Sequence, residues 1–71
     1  MKMNIEWIDG FEIRVHIDGN AAVLSANREG LIALAQQLLA LAEEAPGSHV
    51  HYDEYNALED GSVEMIIEKS E

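Results

Sequence analysis

The chain has no cysteine, so neither a disulfide nor a thiolate-held metal can staple the fold. It has little proline (one residue) and few basic side chains (four). No apolar run approaches the roughly 18 residues of a membrane span. The amino terminus alternates polar and apolar residues from Lys2 onward, unlike the apolar block of a secretory signal. These absences lead us to expect a cytoplasmic protein without membrane contact. No pattern sets a serine or lysine beside a base, and no phosphate-binding glycine loop is present, so no enzyme is expected. At 71 residues the chain reads as one domain, 1–71. Its stability must come from apolar packing, with a partner subunit as the available supplement.

What is present is acid. Asp and Glu number 14 against four Lys and Arg, a formal net charge of −10. Such a surface repels nucleic acid and anionic membranes and attracts basic proteins. Solubility is the plainer use of the same charge. The hydrophobic share of 48% is that of a globular domain rather than a disordered one.

Two amino-terminal segments have strand periodicity. Met3, Ile5 and Trp7 alternate with polar residues from Lys2 to Ile8, and Phe11, Ile13, Val15 and Ile17 with Glu12, Arg14 and His16. A two-residue turn at Asp9-Gly10 would put Glu6 and Asn4 on the face of Ile13 and Val15. A three-residue loop of Ile8, Asp9 and Gly10 instead pairs Trp7 with Phe11 and Ile5 with Ile13, with Gly10 left-handed. Asp18-Gly19 predicts a second turn pairing Ile17 with Asn20 and sending Ala22, Leu24 and Ala26 inward along a short third strand.

Asn27 has the chemistry of a helix cap, and a helix is expected from Arg28 to Glu44. Its apolar stripe is Leu31, Leu34, Ala35, Leu38, Leu41 and Ala42, flanked by Ile32 and Leu39. Glu43 and Glu44 oppose the dipole at the carboxyl end, and Ala45-Pro46-Gly47 ends the helix. Gly30 in the first turn implies either close packing on the sheet or a bare backbone surface for a partner. Strands are expected at Ser48–Tyr52 and Ser62–Lys69, the latter with Val63, Met65 and Ile67 inward and Glu64, Ile66 and Glu68 outward. The order ββ(β)αββ makes an α+β domain of two layers, with a mostly antiparallel sheet of about five strands and one long helix on one face. The other face, with Lys2, Asn4, Glu6, Glu12, Arg14, His16, Glu64 and Glu68, is polar enough to stay wet.

The segment Gly47-Ser48-His49-Val50-His51-Tyr52-Asp53-Glu54-Tyr55-Asn56 concentrates side chains that bind. On a strand, His49, His51 and Asp53 share one face and Val50 and Tyr52 the other. The histidine spacing suits zinc, with Asp53 adding an oxygen ligand, but a closed zinc site needs four firm ligands, and His16 offers a fourth only if its strand is a neighbour. We therefore expect no metal and no cofactor. The acids Asp53, Glu54, Glu59 and Asp60 flank Tyr52, Tyr55 and Leu58, either as an acidic rim around aromatic anchors or as a solvated loop with Tyr55 and Leu58 folded into the core. The expected partner-binding set is His49, His51, Asp53, Glu54, Tyr55, Glu59 and Asp60.

The run Ser25-Ala26-Asn27-Arg28-Glu29-Gly30-Leu31 through Leu41, the Gly47–Asn56 segment, and Leu58-Glu59-Asp60-Gly61-Ser62 to Ile67-Glu68 resemble the immunity protein 32 family of bacterial polymorphic toxin systems. The resemblance implies a small α+β protein that neutralises a cognate toxin by binding it. A basic nuclease domain is the partner that a −10 surface would match. The rival expectation is a small acidic structural or regulatory module, a homodimer formed through an open sheet edge or Ile66.

Overall fold

A computed structural model describes residues 7–71. Strands β1 (Ile13–Asp18) and β2 (Ala21–Ala26) precede helix α1 (Arg28–Ala42), and strands β3 (His49–Tyr52) and β4 (Met65–Glu68) follow it. The α+β class and the single long helix are as expected. The sheet is not: the described residues form four strands in two antiparallel pairs, β1-β2 and β3-β4. The expected strand from Lys2 lies outside the described residues through Glu6, as does the Ile5–Ile13 pairing, and Trp7 and Ile8 are not in a strand.

The pairs are split because residues 59–63 cross between them without making a ladder. The Glu59 and Val63 N–H groups donate to the Ile13 and Val15 carbonyls at 2.8 and 2.9 Å. The Val15 N–H, however, donates to the Ser62 side-chain oxygen at 3.1 Å rather than to a backbone carbonyl. One side-chain acceptor thus replaces a ladder bond, and the final strand starts at Met65 instead of Ser62.

Gly10 is left-handed at φ +83°, and the Phe11 N–H donates to the Ile8 carbonyl at 3.1 Å. The Trp7 and Phe11 rings stack with centroids 4.4 Å apart. The second turn is Gly19-Asn20, not Asp18-Gly19, because Asp18 pairs with Ala21 and Ile17 with Ala22. Gly19 has φ +61° and Asn20 does not share a positive φ, the pattern of a type II′ hairpin. This moves the register by two residues, so Ala22, Leu24 and Ala26 keep the face of Ile17, Val15 and Ile13. Ile17 nevertheless remains 58% exposed and Leu24 37%, since α1 does not reach the far half of the hairpin.

Helix α1 ends at Ala42, short of Glu44, and is rotated from its expected seating. Gly30, Ala33, Leu34, Gln37 and Leu41 are buried, whereas Leu31, Leu38 and Leu39 are exposed. Gly30 explains the rotation. A Cβ there would lie 2.6 Å from the Glu12 carbonyl oxygen and 3.0 Å from the Ile13 side chain, so the helix backbone sits directly on the hairpin. Small residues allow that approach and leucines do not, which decides the earlier alternative in favour of close packing. The core beneath comprises Ile13, Val15, Leu34, Val50, Tyr52 and Leu58, with Trp7, Phe11, Met65 and Ile67 packed against it.

Candidate functional site

Strand β3 alternates as its sequence requires: Val50 and Tyr52 are buried, His49 and His51 exposed. Tyr52 is anchored from within, its hydroxyl donating to Gln37 Oε1 at 2.7 Å. Burial pushes the Tyr52 phenol above its ordinary value of 10.0. That anchor fixes which face of β3 is wet.

On the wet face the His49 and His51 rings meet edge to face with centroids 5.0 Å apart. His51 Nδ1 lies 3.0 Å from Glu64 Oε2, and His49 Nδ1 lies 3.1 Å from the Gly47 carbonyl. Across the ladder His49 faces Glu68 and His51 faces the half-exposed Ile66. Glu64 was missed as a member of this group because β4 pairing, not local spacing, brings it to His51. Among the described residues no three His, Asp or Glu side chains converge as a metal site would require. His16 lies on β1, opposite Val23 of β2.

The 53–61 loop is built on Asp53. Its carboxylate accepts from the Tyr55 and Asn56 N–H groups at 2.9 and 3.1 Å, and its carbonyl accepts from Ala57 and Leu58 at 3.1 and 2.8 Å. Asn56 returns a side-chain oxygen to the Asp53 N–H at 2.9 Å and donates to the His51 carbonyl at 3.0 Å. Glu54 accepts from the Gly61 N–H at 2.6 Å, and Arg14 donates to the Asp60 carbonyl at 3.1 Å. Leu58 and Ala57 are buried under the loop, but Tyr55 is 95% exposed, so Leu58 ties the loop to the core and Tyr55 does not. Of the expected acids, Asp53 and Glu54 are occupied in holding the loop. Among the described residues, none bonds the carboxylate of Glu59 or Asp60.

Charge is divided unevenly along the chain. Nine of the fourteen acids and one of the four basic residues fall from Glu43 to Glu71. The single cation there, Lys69, is spent on the helix: its Nζ donates to the Ala42 and Glu44 carbonyls, both at 2.7 Å. It neutralises the carboxyl end of α1, where Glu43 and Glu44 alone would be unfavourable. An open depression of about 450 Å³ beside that end is lined by Leu41, Pro46, Ser48, His49 and Val50.

The profile of one known family, immunity protein 32, matches residues 21–70, more than half of the chain and all four elements from β2 to β4. The chain belongs to the immunity protein 32 family. No curated protein and no solved structure matches it. The family match thus includes every residue of the histidine face and the acidic loop, while β1, which carries the loop on its backbone carbonyls, lies before it.

Proposed function

We propose that this protein is an immunity-type inhibitor that binds and neutralises a cognate toxin domain in the cytoplasm of a bacterial cell, by contact rather than by chemistry. Membership of the immunity protein 32 family carries the reading. The uneven charge gives the partner its chemistry: a basic surface, of which the nucleic-acid cleft of a nuclease is the natural example. The contact surface is His49, His51 and the 53–60 loop. Tyr55 stands out as an aromatic anchor on an ordered loop, and Glu59 and Asp60 supply carboxylates that the fold does not use.

The test is direct binding to a toxin domain sought among the neighbouring genes, followed by its activity with and without the protein. A stoichiometric complex with loss of toxin activity is expected. Tyr55→Ala, and Glu59→Lys with Asp60→Lys, should each weaken binding by roughly 2 kcal/mol or more, the usual threshold of a hot spot. Glu12→Lys, on the outer face of the hairpin, should change it little. Absence of binding would end the proposal, and a larger loss from Glu12→Lys would move the interface to that face.

A further inference from the structure

We propose that the outer edge of β2 is the seam of a symmetric homodimer, on the side of the hairpin opposite residues 59–63. Ile13 and Val15 turn their backbone groups toward residues 59–63, and Glu12 bonds the Asn27 backbone on the other side. Backbone direction alternates along a strand, so Arg14, His16 and Asp18 bond Ser25, Val23 and Ala21 in the β1-β2 register. The N–H and C=O groups of Ala22 and Leu24 therefore point away from β1, and no other described segment bonds them.

Native edge strands are usually blunted by charge, proline or a bulge. The β2 sequence Ala-Ala-Val-Leu-Ser-Ala has none of these. Beside it, Ile17 and Leu24 form an exposed apolar strip on the helix-bearing face. A two-stranded hairpin is itself marginal in water, and this one projects past α1.

A second copy is the occupant that the charge distribution selects. For a chain of net charge −10, self-association is opposed wherever acids meet. The β2 strand carries no charge, so pairing along it sets no carboxylate of that strand against another. A two-fold axis through Val23 sets Ala22 of each copy against Leu24 of the other, the self-complementary arrangement that an isologous interface needs. The result is a four-stranded antiparallel sheet with Leu24 and Ile17 of both copies on one face.

Sedimentation equilibrium of the full chain across a wide concentration range tests this. Twice the 7.9 kDa chain mass is expected at high concentration, with association that does not weaken as salt rises, because salt screens the repulsion of two acidic copies. Leu24→Lys, and separately Ala22→Pro, which removes an outward N–H, should each abolish the dimer, while Tyr55→Ala should leave it intact. Amide exchange keeps the proposal open to refutation should a variant unfold: the Ala22 and Leu24 amides of the unaltered protein should slow as concentration rises. A monomer at every concentration, a dimer that survives both edge variants, or concentration-independent exchange at Ala22 and Leu24 would overturn it.

Discussion

Asn27 shows how much one side chain carries in a domain this small. Its Oδ1 accepts from the Gly30 and Glu12 N–H groups at 2.9 and 3.0 Å, and its Nδ2 donates to the Gly10 carbonyl at 2.9 Å. It caps the helix and fastens it to the chain leaving the Gly10 turn. Asn27→Ala should destabilise by about 2 kcal/mol, the upper end for a lost cap, measured by urea denaturation. Asn27→Asp should recover only part of that, since a carboxylate keeps the cap but cannot donate to Gly10. Three residues on, Gly30→Ala gains roughly 1 kcal/mol of helix propensity but drives a methyl group against the Glu12 carbonyl. Overpacking against backbone costs about 1–3 kcal/mol, so net destabilisation is expected despite the better helix former. Tyr52 sets a pH limit. Its phenol is raised by burial, so above pH 10.0 the unfolded chain loses a proton that the folded chain retains. The contribution is fully present below that pH and falls as pH rises toward the folded value. In denaturant titrations, Tyr52→Phe should flatten the alkaline loss of stability relative to the unaltered protein.

The 53–61 loop behaves as an element, although it is neither helix nor strand. Its acids divide into those that build it and those it displays. Asp53→Lys removes two carboxylate-to-N–H bonds and should cost about 1–3 kcal/mol, the range for hydrogen bonds to charged groups. Asp60→Lys leaves the carbonyl bond from Arg14 in place and should stay within about 0.5 kcal/mol, as exposed substitutions usually do. Thermal melts of the two variants separate these outcomes. Only the displayed acids are therefore clean probes of binding. Helix α1 makes a related point from the other side: its richest leucine face is outward, because close approach at Gly30 and the Tyr52–Gln37 bond turn the small-residue face inward.

At the scale of the whole molecule, the division of charge leads to different salt responses at two surfaces. Toxin association through the acidic region should slow as ionic strength rises, since exposed charges are screened beyond roughly 8–10 Å at physiological salt. Stopped-flow association rates at low and high salt measure it, and an unchanged rate would remove electrostatic steering from the account. Pairing at the uncharged β2 edge should not weaken as salt rises. Described residues 7–71 include no helix long and apolar enough to cross a membrane.

Periodicity, cap chemistry and turn length determined the class of the fold, the Asn27 cap, the left-handed Gly10 and the outward histidines of β3. These depend on neighbours within a few positions, where helix and strand periods act directly. The pattern around Asn27 and His49–Asn56 also pointed to the family. The division into two sheets was not legible, because it turns on Ser62 reaching Val15 across 47 positions. The seating of α1 was not legible either: hydrophobicity counts leucines, but close packing is set by what the facing backbone admits. Nor did spacing distinguish the acids that build the 53–61 loop from those it exposes, or reveal that Lys69 caps a helix 27 positions earlier. Those contacts exist only once distant segments meet, and their strength depends on distances of a few tenths of an ångström that no local pattern encodes.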